Sequence, residues 1–393
     1  MTKKSHRFFY TIAALVLGIG VVLVITFAGS QSKGPLESLF VHAGSAVTQV
    51  EKNLILENRK NRRTDQLRWF NPYMTNPQML KRPLVTLFGA YDNQTKESFE
   101  SIVSLEDSLQ MNFPLIHIYT AWGSKPEEQF PKLQVETILE MGSVPVITWE
   151  PWLTDFDADE NPQLRKVELR DKGGLADIVR GKYDSYILQW ADNAKAVGQP
   201  VFVRLGHEMN DPYRYPWGPQ NNTAKDFIAA WQHVHKLFSA EGATNVIWIW
   251  SPHPAYGYFD AFYPGDEYVD YVGAGTLNYG TVAEWSKWWT FKEIFGNHYQ
   301  ELAKFGKPIM LTEMGCLAVG GSRSQWFEEA FAQFPQRYPA VKAILFFHFS
   351  DDKTTTQQSL NWYFKDDHPT TSAIITQIKK WSPKLILKSK TGK

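Results

Sequence analysis

Two glutamates each follow a short apolar run with the composition of a buried strand. Glu208 comes after the run 201–205 in the segment GHEMN, and Glu313 comes after the run 308–311 in the segment TEMG. Polar residues at the carboxyl ends of buried parallel strands usually perform chemistry. Two carboxyl groups about 5–5.5 Å apart, one protonated and one ionised, can split a glycosidic bond. The two glutamates therefore predict acid and nucleophilic chemistry at one site, with Glu208 as the candidate acid.

Polar and aromatic residues crowd the sequence around Glu208. The polar ones could orient its carboxyl group or bind a ligand, and flat aromatic faces suit the apolar faces of sugar rings. These candidate binding residues are Arg204, His207, Asn210, Tyr213 and Trp217.

The segments RLGHEMN, YPWG and TEMG together resemble glycoside hydrolase family 26, the β-mannanase-like retaining glycanases. The resemblance covers roughly residues 84–372. It implies a (β/α)8 barrel with Glu208 as acid/base at the end of the fourth strand and Glu313 as nucleophile at the end of the seventh. It also implies that His207 contacts the catalytic centre. The implied activity is endo-hydrolysis of a β-linked polysaccharide, with mannan first and β-glucan or an exopolysaccharide next.

The chain departs from the family pattern at two places. Many relatives have a tyrosine that hydrogen-bonds the nucleophile where this chain has Leu277, so either Tyr279 replaces it or the nucleophile is positioned differently. An extra residue also precedes YPWG in the segment DPYR. Arg214 in that segment would suit an acidic or substituted polysaccharide if it faced a sugar subsite.

Other predicted strands also end in residues suited to sugar binding. Glu150 is a third carboxyl group of this kind and is either a subsite ligand or structural. The remaining candidate substrate-binding residues are Trp149, Trp152, His253, Asn278, Tyr279 and Trp362.

Composition and motifs argue against several other classes of function. Lys plus Arg equals Asp plus Glu at 41 each, so no overall basic field favours nucleic acid. No GxGxxG or phosphate-binding loop follows a strand, and His207-Glu208 lacks the second histidine of a zinc-protease motif. We therefore expect no cofactor and no metal. A single cysteine, Cys316, allows no intrachain disulfide.

The first residues of the chain predict a membrane segment. Residues 8–28 form an uncharged run of about 21 residues, long enough to cross a bilayer as a helix. Basic residues precede this run and predict a cytoplasmic amino terminus with the remainder outside the membrane. A cleaved signal peptide is the alternative, and both interpretations export the barrel.

Short apolar runs alternate with amphipathic stretches from residue 84 onward, which predicts a parallel sheet with outer helices. Eight such runs fit a closed TIM barrel better than an open sheet. They are 84–89, 115–119, 144–149, 201–205, 246–250, 268–274, 308–312 and 341–347. The predicted domains are a membrane anchor at 1–30, a stalk or linker at 31–80 and the catalytic barrel at 81–385. Residues 69–83, rich in Pro and Asn, are interpreted as linker.

A basic cluster and two further functions complete these expectations. Arg59, Lys60, Arg62 and Arg63 are interpreted as a solvated turn rather than an anionic-polymer site. A barrel that binds or guides a polysaccharide without cutting it is the alternative to a hydrolase. A transglycosylase would use the same two glutamates with a different acceptor. The sequence leaves open the identity of the glycan, endo or exo cleavage, and the oligomeric state.

Overall fold

A closed barrel of eight parallel strands forms the centre of the computed structural model, which describes residues 62–283, 287–356 and 358–381. Each strand pairs with its sequence neighbours, and β8 pairs with β1. The strands are β1 (Leu87–Asp92), β2 (Leu115–Ala121), β3 (Val144–Glu150), β4 (Val201–Leu205), β5 (Val246–Trp250), β6 (Tyr271–Asn278), β7 (Ile309–Cys316) and β8 (Val341–His348). The predicted barrel is confirmed.

Helices connect and surround the strands. They are α1 (Asn71–Met74), α2 (Pro77–Lys81), α3 (Glu100–Leu109), α4 (Lys132–Glu140), α5 (Gly174–Val179), α6 (Asp184–Ala196), α7 (Ala224–Glu241), α8 (Phe259–Phe262), α9 (Tyr299–Ala303), α10 (Arg323–Gln333) and α11 (His368–Ile378). The longest, α7, begins with a capping box between Thr223 and Asp226 and ends at Gly242 in the left-handed region. Between β6 and β7, a π-helical turn, Lys292–Gly296, precedes the short helix α9.

Alternation along the strands separates two apolar cores. In β3, Val144 and Val146 belong to the core inside the barrel, whereas Ile147 and Trp149 pack in the layer between strands and helices. In β4, Phe202 faces the inside and Val203 faces the helices. The same alternation carries polar side chains up the barrel interior towards the carboxyl ends of the strands.

The amino-terminal end of the barrel is closed by residues that the sequence predicted as linker. A 3-10 turn (Arg68–Phe70), α1 and α2 occupy this stretch, and Phe70, Tyr73 and Leu80 are buried against the interior core. Pro72 and Pro77 stand in the first turns of α1 and α2. The linker interpretation of residues 69–83 is therefore wrong, because these prolines start helices. Full burial of each such apolar side chain contributes about 1.5–3 kcal/mol.

Arg63 also contradicts its predicted place in a solvated turn. Its guanidinium group is buried and pairs with Glu106. It donates further hydrogen bonds to the carbonyl oxygen of Met141 at 2.9 Å and to Ser143 Oγ at 2.8 Å. This buried ion pair ties residues just before the helical closure to the amino-terminal end of the barrel.

The predicted membrane segment at 8–28 and the part of the stalk at 31–61 lie outside the described residues. Within the described ranges, no helix has both the length and the apolar character needed to span a bilayer.

Candidate active site

A bulge in β7 aims Glu313 into the barrel mouth. Ala274 of β6 pairs with Leu311, but the next residue, Gly275, pairs with Glu313, so Thr312 is an extra residue in β7. The Thr312 side chain faces inward, where Arg204 Nη1 donates to its Oγ1 at 2.9 Å. Because the extra residue breaks the alternation, Glu313 faces the interior as well.

Two donors hold one oxygen of Glu313. The Tyr119 hydroxyl donates to Oε1 over 2.7 Å, and Arg204 Nη2 donates to the same atom over 2.5 Å. Burial raises the pKa of this carboxyl group, but the Arg204 charge and the hydrogen bonds from Tyr119 and Arg204 outweigh burial and hold the pKa below its usual value. Glu313 is therefore poised as an ionised carboxylate.

Arg204 lies beneath the barrel mouth and holds the Glu313 carboxylate in position. Its side chain is fully buried, and its remaining donors bind Thr148 Oγ1 at 2.7 Å and the Tyr119 hydroxyl at 2.9 Å. The expected direct contact between Arg204 and substrate is therefore wrong. This guanidinium positions the carboxylate above it.

Glu208 sits at the end of β4 in a strained backbone conformation. Its φ is +53°, a left-handed geometry that costs a residue with a side chain about 1–2 kcal/mol. Its N–H donates to the carbonyl oxygen of Ser251 at 2.7 Å, and its own carbonyl accepts from the N–H of Asp211 at 2.9 Å. These bonds hold the residue in the conformation that turns its side chain into the mouth.

The pKa of Glu208 is shifted in the opposite direction from that of Glu313. Burial raises it most, and the negative charge of Glu313 raises it further, against the lowering effects of His253, Arg214 and Arg204. Among the described residues, its buried Oε2 has no hydrogen-bond partner. Glu208 is therefore suited to hold a proton.

The two carboxyl groups face one point beside Gly275. A Cβ atom on that glycine would lie 3.4 Å from Glu208 Oε1 and 4.0 Å from Glu313 Oε2. The site thus pairs a carboxyl group whose pKa is raised with one whose pKa is lowered, on either side of the space left open by Gly275. This arrangement allows one carboxyl group to donate a proton to one atom of a ligand bond while the other attacks the second atom of that bond.

Three packed rings, those of His207, Tyr215 and Trp217, fix the backbone next to Glu208. His207 Nε2 hydrogen-bonds the Tyr215 hydroxyl at 2.9 Å, and Trp217 Nε1 donates to the His207 carbonyl oxygen at 2.7 Å. Tyr215 and Trp217 stack with ring centroids 4.6 Å apart. Trp217 is buried, so its expected role as a sugar platform is wrong. His207 is also buried, and burial lowers its pKa well below the usual value.

Asn210 joins two loops rather than facing the cleft. Its Nδ2 donates to the carbonyl oxygens of His253 and Gly257, both at 2.9 Å, and its Oδ1 accepts from the His253 N–H at 2.7 Å. With these bonds made and the side chain buried, a direct sugar contact is contradicted. The amide positions His253, whose side chain lines the cleft.

Glu150 and Trp152 lie together on the β3 side of the mouth. Trp152 Nε1 donates to Glu150 Oε2 at 3.2 Å, and Glu150 Oε1 lies 3.9 Å from His207 Nδ1. Burial, partly offset by the Trp152 hydrogen bond, raises the pKa of Glu150 to about 7. Trp152 is half-buried, so one predicted aromatic contact remains accessible to a ligand.

Three more predicted sugar contacts are wrong because the side chains are buried in packing. Trp149 stacks on Trp190 in the layer between strands and helices, with ring centroids 4.3 Å apart. Trp362 donates to Asp352 Oδ2 at 2.8 Å beneath the β8 loop. Asn278 Oδ1 accepts from the N–H of Gly280 at 3.1 Å, so this side chain caps its own turn.

A cleft of about 400 Å³ extends from the two glutamates along the loops after β4, β5 and β6. Tyr279 lines it, but its hydroxyl bonds Thr355 Oγ1 at 2.9 Å, and it is Tyr119 that bonds Glu313. Tyr213 is 80% exposed, outside this lining. Four residues of the site were not among those predicted from the sequence: Tyr119 at the nucleophile, Gly275 between the carboxyl groups, and Tyr256 and Trp289 as cleft aromatics.

Glu208, Asp211 and His253 are the one group of described side chains that could supply three ligands to a metal, with candidate atoms within 4.8 Å of one another. Arg214 Nη1 lies 3.9 Å from Glu208 Oε2 and places a positive charge beside this group. That charge opposes a bound cation. The absence of a metal from the chemistry stays a prediction.

Comparisons with known proteins agree on one family. The sequence profile of glycosyl hydrolase family 26 matches residues 144–346, more than half of the chain. Endoglucanase H of Acetivibrio thermocellus is 31% identical over 263 residues, 65% of this chain and 27% of that protein. Mannan endo-1,4-beta-mannosidase of Bacillus subtilis is 28% identical over 163 residues, 39% of this chain and 40% of that protein.

The fold also matches solved structures. The family 26 β-mannanase of Bacteroides ovatus superposes with a TM-score of 0.54 at 17% identity, covering 77% of this chain and 92% of that one. This likeness concerns the barrel alone. The chain spans only 27% and 40% of the two curated relatives, so their activities are not transferred with the match. On the profile match, the chain belongs to glycosyl hydrolase family 26.

Proposed function

We propose that this chain is a retaining endo-β-glycosidase that hydrolyses a β-linked polysaccharide of the mannan or β-glucan type. The observation that carries the proposal is the pair of opposite pKa shifts on two glutamates that face one point beside Gly275. Family membership and the relatives named as a mannosidase and an endoglucanase support the substrate class.

In the first step, Glu208 gives its proton to the oxygen of the scissile bond. Glu313 attacks the anomeric carbon, the carbon–oxygen bond breaks, and the leaving sugar departs as an alcohol. Tyr119 and Arg204 hold Glu313 Oε1, so Oε2, which faces the cleft, is the attacking atom. The product of this step is an ester between Glu313 and the sugar.

In the second step, Glu208 acts as the base. Once Glu313 is an ester, its negative charge no longer raises the pKa of Glu208, while Arg214 and Arg204 still lower it. Loss of that charge favours the ionised form of Glu208, which takes a proton from water as that water attacks the anomeric carbon. The ester bond breaks, Glu313 leaves as a carboxylate, and the sugar regains its original configuration.

The hydrogen bonds to Glu313 argue against the alternative that the barrel binds a polysaccharide without cutting it. That alternative rested on the tyrosine missing at Leu277. In this chain the Tyr119 hydroxyl donates to Glu313 from β2 instead. A hydroxyl on the nucleophile is thus retained, which supports hydrolysis over simple glycan binding.

A substrate panel tests the proposal. The described barrel, from residue 62, is incubated with mannan, glucomannan, lichenan, β-1,3-xylan and bacterial exopolysaccharides, and new reducing ends are measured. We expect release from at least one polymer, with none from Glu313→Ala or Glu208→Ala. Retained activity in Glu313→Ala, or glycan binding without reducing ends at any pH, would contradict the hydrolase. Product sizing with an added oligosaccharide acceptor separates hydrolysis from transglycosylation.

We also propose that residues 8–28 anchor the enzyme in the membrane with the barrel outside the cytoplasm. The length of the uncharged run and the basic residues before it support this location. Carbonate extraction of the full chain from membranes should leave it in the pellet. Release with a new amino terminus after about residue 28 would instead support a cleaved signal peptide.

A further inference from the structure

Arg214 differs from the buried arginines of this molecule in how few of its donors are used. Arg204 binds four side chains, and Arg63 binds three groups. The guanidinium group of Arg214 makes one hydrogen bond to a described residue, from Nη2 to Thr354 Oγ1 at 3.2 Å. Among the described residues, its nearest carboxylate oxygen is Glu208 Oε2, 3.9 Å from Nη1, beyond hydrogen-bond distance.

This guanidinium lines the cleft beside the reacting groups. It shares the cleft lining with Glu208 and Glu313, and 31% of its side chain is exposed. The Tyr215 ring lies beneath it, with 5.2 Å between the guanidinium carbon and the ring centroid. A planar group held on one face by a ring and bonded at one edge presents its other donors to a ligand.

Among the described residues, no ionised carboxylate is paired directly with this cation when catalysis begins. Glu208 must carry a proton to act as the acid, which removes the charge nearest to Arg214. The other two carboxyl groups in the cleft lining have their own partners. Glu313 is bound by Arg204 and Tyr119, and Glu293 accepts from Lys287 Nζ and from the Thr290 N–H, both at 2.9 Å. A neutral glycan would leave the partly buried guanidinium without a directly paired anion, whereas a carboxylate on the glycan would pair with it.

We propose that Arg214 forms a subsite for a carboxylate group on the glycan, such as a uronic acid or a carboxyl-bearing substituent. The enzyme therefore prefers an acidic β-linked polysaccharide over its neutral counterpart. This preference rests on the proposed glycosidase function and specifies its substrate class. The planar fork of arginine suits two parallel hydrogen bonds to a carboxylate, which a neutral hydroxyl cannot accept with equal strength.

The test compares one polymer in two forms. Mannan and lichenan are used native and after oxidation of part of their primary hydroxyl groups to carboxylates. The ratio of kcat/KM on oxidised to native polymer is measured for the wild type, Arg214→Lys and Arg214→Gln. We expect Arg214→Gln to lower the ratio about 10–100-fold and Arg214→Lys to lower it less, since lysine keeps the charge and loses the fork. The wild-type ratio should fall as salt increases.

A rim charge provides the control. Lys353 belongs to the same β8 loop as Thr354 but is outside the cleft lining, and 63% of its side chain is exposed. Lys353→Gln should leave the ratio within about twofold of wild type. Equal losses on both polymer forms in Arg214→Gln, or an equal change in Lys353→Gln, would overturn the subsite.

Binding separates this proposal from the hydrolase assignment. Calorimetry of Glu313→Ala with oxidised and native oligosaccharides measures the preference without turnover. Tighter binding of the oxidised form, lost in Glu313→Ala/Arg214→Gln, supports the subsite even if no polymer is cut. Equal binding of both forms refutes it even if the panel shows hydrolysis.

Discussion

Two buried Arg–Glu pairs lie at opposite ends of the same barrel, and their surroundings suit them to different roles. At the amino-terminal end, Arg63 pairs with Glu106, whose other oxygen accepts from the Phe113 N–H at 2.7 Å. At the carboxyl end, Arg204 pairs with Glu313 through one oxygen, and the other oxygen faces the cleft. Both carboxylate oxygens of Glu106 are thus bonded within the protein, whereas Glu313 Oε2 is available to react.

The electrostatics of the two carboxyl groups differ in the same sense. Burial raises the pKa of Glu106 despite its Arg63 partner. Glu313 has the added hydrogen bond from Tyr119, and its pKa is lowered. A buried ion pair is weak evidence for net stability, but removing one partner is destabilising because the other charge is left buried and unpaired. The comparison therefore predicts that breaking the first pair harms folding and that breaking the second harms chemistry.

The largest effect is expected at Glu313. Glu313→Gln keeps the size of the side chain and removes the nucleophile, so kcat/KM should fall by about 10⁴-fold or more. Steady-state release of reducing ends measures the loss, and a cooperative thermal unfolding transition shows that the variant is folded. A fall of less than about tenfold in a folded variant would remove Glu313 from the reaction.

Glu208→Gln should cost about 10²–10⁴-fold on a polysaccharide, because the leaving oxygen loses its proton donor. The loss in the glycosylation step should be much smaller on an aryl glycoside whose leaving group departs without a proton. The two substrates are compared in the same kinetic assay. Equal losses on both would contradict the role of Glu208 as the acid.

Arg63→Met should lower the free energy of unfolding by about 3–5 kcal/mol, because it leaves Glu106 buried and unpaired. The loss should grow as pH rises above the usual carboxyl range. Folded Glu106 then keeps a proton that the unfolded chain releases, so the unfolded state binds fewer protons. Urea unfolding at several pH values measures the effect.

The double variant Arg63→Met/Glu106→Gln sharpens this experiment. Glutamine removes the stranded charge and keeps an acceptor for Phe113, so part of the lost stability should return. Equal stability of the single and double variants would show that the pair does not act through charge. The activity of folded protein should keep its pH profile in both.

Tyr119→Phe should produce the smallest effect, about tenfold or less in kcat/KM at the pH optimum. Loss of the hydrogen bond raises the pKa of Glu313, which must be ionised to attack. The acidic limb of the pH–rate profile should therefore move to higher pH. Tyr91→Phe is the matched control, since the Tyr91 ring lies 4.6 Å from the Tyr119 ring in the same mouth. If the acidic limb moved equally in both variants, Tyr119 would have no specific effect on the pKa of Glu313.

Much of the barrel could be predicted from apolar runs. The predicted bounds of β4 and β5 agree with the structure because both strands are continuously apolar, apart from Arg204. Strand β1 begins three residues later than predicted and continues to Asp92, whose Oδ2 bonds His348 Nδ1 at 2.7 Å. The polar end of β1 can be buried because His348 of β8 pairs with Asp92, and the sequence around Asp92 gives no sign of this distant partner.

The site was predicted less completely, for two physical reasons. Alternation in β2 places Leu115, His117 and Tyr119 on the inner face, and the same rule places Trp149 of β3 on the helix side. A period-two count would have found Tyr119 and rejected Trp149. Glu313 is different, because only the bulge at Thr312 turns it inward. That bulge depends on pairing with β6, so periodicity within β7 would have predicted the wrong face.

The most direct measurement is to trap the sugar on the enzyme. A 2-deoxy-2-fluoro glycoside with an activated leaving group, built on the sugar that the panel identifies, slows the second step because fluorine disfavours its oxocarbenium-like transition state. Intact mass should increase by one fluorinated glycosyl group per chain, peptide mapping should place that group on Glu313, and Glu313→Ala should show no increase. An active enzyme that gains no adduct, or carries it on another residue, would contradict the proposed mechanism.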